Sequence, residues 1–219
     1  MGHVDELTPI AQDYLKVIWS AVEWGDPPIT TKGLAARFAT TQANVSETVR
    51  RLQGQGLVTY RPYKPVTLTP LGESLAVAMV RRHRLLETYL AQELGYGWEE
   101  VHDEAERLEH AVSDDFLDRI DRLLGSPRTD PHGDPIPDKA GVSSPQTGAV
   151  RLSEAEPGPY RVVRVADTDP EQLARLRRAR LEPGSTVEVR AGQPHVIVGA
   201  SPSIDIRPED LEAVRVRPA

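Results

Sequence analysis

Residues 30–69 read TTKGLAARFATTQANVSETVRRLQGQGLVTYRPYKPVTLT. Thr30 or Thr31 can cap a short helix over Lys32–Phe38, because a threonine hydroxyl accepts from the open N–H groups of a first turn. Ala39-Thr40-Thr41-Gln42 makes a short polar turn. Ala43–Gln53 reads as the next helix, with Val45, Val49 and Leu52 on one face, and Gly54 and Gly56 end it. Leu57–Tyr60 and Val66–Thr69 are short strands, and Arg61-Pro62-Tyr63-Lys64-Pro65 is the tip between them. Upstream, Thr8 and Pro9 open a helix that runs to Glu23, with Ile10, Tyr14, Val17, Ile18 and Ala21 at helical spacing. Gly25, Pro27 and Pro28 stop it. Three helices, a tight turn and a hairpin in this order predict a winged helix-turn-helix over residues 1–70.

Downstream, a long helix is expected from Pro70 to about Leu94, through Leu71, Leu75, Met79, Leu85 and Leu86. Gly95, Tyr96 and Gly97 break it. In Glu99–Asp115, His102, Glu106, Glu109 and His110 fall at i, i+4, i+7 and i+8, one stripe of a helix. Val101, Ala105, Leu108 and Val112 form the apolar stripe beside it. His83 and Glu87 stand at i, i+4 on the preceding helix. Either group alone reads most simply as a solvated polar face; six ligand-type residues on adjacent helices predict a metal site. Phe116, Leu117, Ile120, Leu123 and Leu124 add more apolar surface than one small core needs. A helical dimerisation domain over residues 71–140 accounts for that surplus.

Arg128–Thr147 is dominated by Pro, Gly, Asp and Ser and reads as an extended linker, with the domain boundary placed at 141–155. Beyond it, Tyr160–Val165, Thr186–Val189, His195–Val198 and Ala213–Val216 alternate as strands, and Asp169–Arg180 as one helix. They predict a small barrel of about five strands over residues 156–219. The fold class is α+β.

The 219 residues include no Cys, so there is neither a disulfide framework nor a thiolate ligand. No apolar run approaches a bilayer span, and Met1–Thr8 carries acids rather than an apolar leader. The expectation is a cytoplasmic protein without a membrane partner. A net charge of −7 by itself opposes nucleic acid. The cations are clustered, however: Lys32, Arg37, Arg50, Arg51, Arg61 and Lys64 surround the turn and wing, where they would bind phosphates. Base reading would fall to Thr41, Gln42, Asn44, Ser46 and Glu47, each of which is otherwise an ordinary solvated helix residue.

Val45–Val49, Arg82-His83-Arg84-Leu85 with Glu87, His102–Ala105 followed by Glu109-His110, and Pro131–Pro137 together make the chain resemble the metal-dependent regulators of the diphtheria toxin repressor family. The barrel resembles the SH3-like domains of ferrous-iron transport accessory proteins through Leu181-Glu182-Pro183-Gly184. The resemblance implies a homodimer on a two-fold-symmetric double-stranded operator, with two metal ions per protomer and no small-molecule substrate. It implies an ancillary site of His83, Glu87 and His102 and a primary site of Asp13, Glu106, Glu109 and His110. Asp167, Asp169 and Gln172 are candidate ligands from the barrel. Iron-responding members carry Met and Cys where this chain has Asp13 and Glu106; manganese-responding members carry carboxylates. Lys16 replaces a further carboxylate that some manganese regulators have. The resulting expectation is a Mn²⁺-activated repressor and no enzyme. Alternatives are an Fe²⁺-dependent repressor, a winged-helix sensor of a small organic molecule, and a metallohydrolase.

Overall fold

A computed structural model describes residues 3–143, 147–167, 169–190 and 206–219, together with the backbone of 195–198. Residues 144–146 of the expected linker, and Thr168 in the barrel segment Val165–Gln172, lie outside the described residues. The chain divides into two compact units, one of residues 1–82 with 137–142, the other of 83–136 with 143–219.

The first unit opens with α1 (Pro9–Glu23), α2 (Thr31–Arg37) and α3 (Gln42–Gly54). The hydroxyls of Thr8, Thr30 and Thr41 accept from Ala11 N, Gly33 N and Asn44 N at 3.3, 3.1 and 3.2 Å. α3 therefore starts one residue earlier than expected, directly after its Thr41 cap, and includes Gly54. Gly56, at φ 72°, makes the exit into β1 (Val58–Thr59), which pairs antiparallel with β2 (Thr67–Leu68). Leu15, Leu34, Val45, Val49, Leu52 and Val66 are wholly buried beneath this hairpin and the three helices. Each such side chain stabilises the fold by roughly 1.5–3 kcal/mol. Tyr14 stacks on Phe38 with ring centroids 4.3 Å apart. This is the winged helix-turn-helix.

α4 (Pro70–Leu94) starts in this unit, and from His83 onward it belongs to the second. There it is joined by α5 (Val101–Leu108) and α6 (Asp114–Leu123) around Leu85, Leu86, Leu90, Val101, Ala105, Leu117 and Ile120. The single helix expected across Glu99–Asp115 is in fact broken. Glu109 is the C-cap of α5, still near helical dihedrals (φ −59°, ψ −26°), and His110 lies in the turn after it. The break has a local cause: the Ser113 hydroxyl accepts from Phe116 N at 3.3 Å and starts a new helix there.

The expected extended linker is corrected at both ends. Asp130, His132, Asp134 and Ile136 are buried. Asp130 Oδ1 accepts from His132 N at 2.8 Å and Asp134 N at 2.9 Å, which folds this Pro- and Gly-rich stretch into a built turn. Composition alone cannot distinguish such a turn from a free linker. At the other end the SH3-like β-domain begins at Val150 rather than residue 156, because Leu152 is already in its core. Its strands are β3 (Val150–Arg151), β4 (Gly158–Val165), β5 (Thr186–Arg190), β6 (His195–Val198) and β7 (Val214–Pro218), all antiparallel in the order β3-β7-β4-β5-β6. Two helices, α7 (Pro170–Arg178) and α8 (Pro208–Glu212), complete it.

Gly72, in the first turn of α4, is a point of close approach: a Cβ there would sit 1.9 Å from Leu57 O. Glycine-to-alanine inside a helix ordinarily stabilises by up to about 1 kcal/mol. Gly72→Ala is expected to do the reverse and destabilise by about 1–3 kcal/mol, as overpacking does. Urea unfolding checks the sign.

Candidate metal centre

From His83 to Thr88, α4 is buried on every side, yet this stretch carries His83, Arg84 and Glu87. A buried ion without a partner costs several kcal/mol, so the sequence of α4 requires opposite charges from other elements. They come from α5, from the Asp130–Asp134 turn and from the β-domain. Glu87, with no exposed surface, is at the middle.

On one side, Glu87 Oε1 lies 3.0 Å from His83 Nε2 and 3.3 Å from His102 Nδ1. His83 Nε2 and His102 Nδ1 are 3.2 Å apart. Asp167 Oδ2, from just beyond β4, lies 3.3 Å from His102 Nδ1. Two imidazole nitrogens and two carboxylate oxygens thus converge, all within 4.8 Å of one another. The opposite nitrogen of His83 meets Glu109 Oε2 at 2.7 Å, a bond that orients the ring. Glu106 Oε1 lies 3.7 Å from His102 Nε2, and Glu109 Oε1 3.8 Å from His110 Nε2.

On the other side, Glu87 Oε2 faces His132 Nδ1 at 3.7 Å, and Asp130 joins them in a second buried donor group. His132 Nε2 donates to Trp98 O at 2.6 Å. Glu87 Oε2, Asp130 Oδ2 and His132 Nδ1 make no hydrogen bond. Arg84 reaches Asp130 Oδ2 at 3.6 Å and donates to Pro135 O at 2.6 Å. Asp130 and His132 are not among the ligands expected from the sequence, where the signal nearest these positions is the Pro131–Pro137 motif of the resemblance.

The charges answer one another. Burial lowers the His102 pKa, but hydrogen bonds and charge from Asp167 and Glu87 outweigh it and raise it to about 10. Burial raises Asp167, and the bond from His102 pulls it below the usual carboxylate range. Burial likewise raises Glu87, and the His83 and His132 charges and the His102 bond hold it well below its ordinary value. Asp130 is pushed up to about 7 by burial and by the Glu87 charge. This is a set of nitrogen and oxygen donors without sulfur, buried and close together, and it fits a divalent cation, whose binding would displace the imidazole protons.

Two of the barrel candidates are engaged elsewhere. Asp169 caps α7, accepting from Glu171 N at 3.0 Å and Gln172 N at 3.2 Å. Gln172 donates to Glu209 O at 3.0 Å and Asp210 Oδ1 at 3.3 Å. A helix N-cap and a tether between α7 and α8 occupy both, and only Asp167 is brought to the cluster. Asp13 is half-buried on α1 in the first unit. Lys32, Arg37, Thr41, Gln42, Asn44, Glu47, Arg50, Arg51, Arg61 and Lys64 are exposed, and Ser46 is half-buried. Asn44 donates to Thr40 Oγ1 at 3.1 Å.

Comparison with known proteins divides the chain into three segments. Residues 6–66 match the N-terminal DNA binding domain of iron dependent repressors, 69–138 their metal binding and dimerisation domain, and 150–218 the FeoA domain. The iron-dependent repressor IdeR of Mycobacterium tuberculosis is 33% identical over 229 residues, covering 97% of this chain and 99% of its own. The diphtheria toxin repressor of Corynebacterium glutamicum is 32% identical over 222 residues, covering 96% and 97%. A solved manganese-dependent transcriptional repressor in complex with manganese superimposes with a TM-score of 0.88 at 43% identity, covering 95% of this chain and 100% of that one.

The geometry separates Asp167 from Asp169. His102→Ala and Asp167→Ala are each expected to lower the number of Mn²⁺ ions retained per chain and the rise in Tm on adding metal. A site filled at 100-fold over its Kd adds about 2.7 kcal/mol to stability. Asp169→Ala is expected to lose about 0.5–2 kcal/mol through its cap and to keep the full metal count. Equilibrium dialysis with metal analysis, alongside thermal melts, makes the comparison.

Proposed function

The chain belongs to the diphtheria toxin repressor family of metal-dependent transcriptional repressors, and we propose that it is a manganese-activated member that represses manganese-uptake genes. The observation that carries this reading is the donor set. Every proposed ligand, Asp13 and Glu106 above all but also the converging His83, Glu87, His102 and Asp167, offers only imidazole nitrogen or carboxylate oxygen, and the chain has no cysteine. Hard oxygen donors suit Mn²⁺, whereas sulfur favours softer ions. Mn²⁺ is at the weak end of the divalent affinity order, so selectivity rests on coordination and metal availability. The similarity to a repressor solved with manganese agrees with this. The similarity to an iron-dependent repressor keeps Fe²⁺ as the second reading.

We assign the activating site, following the family resemblance, to Asp13, Glu106, Glu109 and His110, and the ancillary site to His83, Glu87, His102 and Asp167. Asp130 and His132 are further donors on the same Glu87. Asp13 lies on a helix of the DNA-binding domain and the other three activating ligands in the dimerisation domain, so shared ligation restrains one domain relative to the other. That is a two-state element whose joined state the ligand selects. Two bound divalent ions supply about +4 per protomer, which offsets carboxylates that otherwise repel each other and oppose DNA. Lys32, Arg37, Arg50, Arg51, Arg61 and Lys64 hold phosphates. Thr41, Gln42, Asn44, Ser46 and Glu47 face base edges. The partner is a symmetric duplex, met by a homodimer whose two recognition helices lie one DNA turn apart. The apolar residues left exposed in the dimerisation region, Phe116 and Leu123 among them, support that dimer. No helix of the described residues is long and apolar enough to cross a membrane.

The reading is tested by operator affinity against free Mn²⁺ and free Fe²⁺ under anaerobic conditions. The probe is a duplex that the Mn²⁺-loaded wild type selects from a random pool. Asp13→Ala is expected to abolish metal-activated binding while sedimentation still shows a dimer. Superimposed wild-type and mutant curves overturn the switch, and half-saturation at equal or lower Fe²⁺ overturns manganese selectivity.

Base reading and affinity are expected to divide between residues of α3. Arg50→Ala should weaken all duplexes alike and reduce the salt slope by about 1, as loss of one phosphate contact does. Glu47→Ala should reorder the preferred sequences, because a carboxylate accepts from the cytosine amino group. Competition with single-base variants of the selected duplex distinguishes the two.

A further inference from the structure

The tip of the wing contains a local conflict. Arg61, Pro62, Tyr63 and Lys64 form a tight turn closed by Lys64 N donating to Arg61 O at 3.1 Å. Pro62 at the second position, with a left-handed residue at the third, is the type II pattern, in which the third position calls for glycine or asparagine. Here the third residue is Tyr63, at φ 63°. The Cβ of a bulky L-residue crowds the following carbonyl in that region, so the turn is strained. Ala39, Ser126 and Arg180 share the conformation, but each follows the C-terminus of a helix, where a left-handed residue closes the last turn.

Among the described residues nothing compensates the strain. Tyr63 is fully exposed (104%), and among the described residues it makes no hydrogen bond or ring contact. An aromatic side chain that packs on nothing contributes no burial to its own fold. Its neighbours are cationic: Arg61 and Lys64 flank it, and Pro62 and Pro65 stiffen the strand ends on either side. The projection of a rigid, uncovered phenol from a basic loop suits a polyanion with apolar surface between its charges, which describes the sugar–phosphate backbone of a duplex.

We propose that Tyr63 is a DNA-anchoring residue, its ring covering a deoxyribose and its hydroxyl donating to a phosphate oxygen. The proposal rests on reading the first unit as the DNA-binding one. The contact positions the wing without reading a base. It is electrically neutral, so it adds affinity that does not depend on counterion release, unlike the contacts of Arg61 and Lys64.

The experiment uses the full-length, Mn²⁺-loaded protein and the selected duplex, with Tyr63→Gly, Tyr63→Phe and Arg61→Ala. Tyr63→Gly relieves the φ constraint, so its Tm is expected to equal or exceed that of wild type while DNA affinity falls about tenfold. Tyr63→Phe keeps the ring and loses the hydroxyl, for an expected loss of about threefold. Both losses should be the same for every duplex variant and leave the salt slope unchanged, whereas Arg61→Ala lowers the slope by about 1. Wild-type affinity in Tyr63→Gly overturns the proposal and leaves the family function standing. A change in sequence ranking also overturns it, since it would make Tyr63 a base reader. Failure of the wild type to select any duplex overturns both the proposal and the DNA-binding reading beneath it.

Discussion

Glu87 is a carboxylate with no exposed surface, on a stretch of helix buried on every side, and the arrangement of the second unit follows from answering its charge. One oxygen is met by His83 and His102, and the other faces His132. Those three histidines come from three places in the sequence: α4 itself, α5 and the turn after α6. Each brings its own dependants. His102 draws Asp167 from the β-domain, His83 draws Glu109 from the end of α5, and His132 is held by the Trp98 carbonyl. Removing one partner from such a network leaves an uncompensated buried charge and costs about 3–5 kcal/mol. Burial and charge are therefore one constraint here, and the geometry that answers the charge of Glu87 also gathers imidazole nitrogens and carboxylate oxygens that could hold a cation.

The turn at Asp130–Asp134 shows how backbone and charge work together. Asp130 spends one oxygen on two backbone N–H groups and leaves the other toward Arg84. Asp134 pairs with Arg164 of β4, and Val165 N donates to His132 O. Gly133, at φ 88°, lets the chain pass so near Val163 O that a Cβ would come within 2.1 Å. The turn is thus tied to the β-domain on one side and to α4 on the other. Asp167 follows β4, so the register of that strand sets where its carboxylate meets His102.

The winged unit is held by different means. Its core is apolar, its helices are capped by threonines, and its closest approach, at Gly72 against Leu57, is steric rather than electrostatic. Its cations stay on the surface, where they cost little and remain available to phosphate. The one strained aromatic of the unit is also on the surface, at the tip of the wing.

Much of this was determined locally and was legible in the sequence. Helix starts were visible at Thr8 and Thr30, because a threonine hydroxyl satisfies a donor three residues away, and strands because Val and Thr alternate. His83 with Glu87 and His102 with Glu106 could be found because i, i+4 spacing puts two side chains on one helix face. Periodicity also supported a single helix through Glu109 and His110, and there a competing cap at Ser113 prevailed. What lies far apart in sequence was decided only by the tertiary structure. Asp167 and Asp169 are two residues apart and chemically alike, yet one, just beyond β4, meets His102 and the other caps α7. Asp130 and His132 sit in a Pro- and Gly-rich segment whose composition suits a free linker. His132 is buried facing Glu87, and Asp130 facing Arg84, partners that lie far away in the chain.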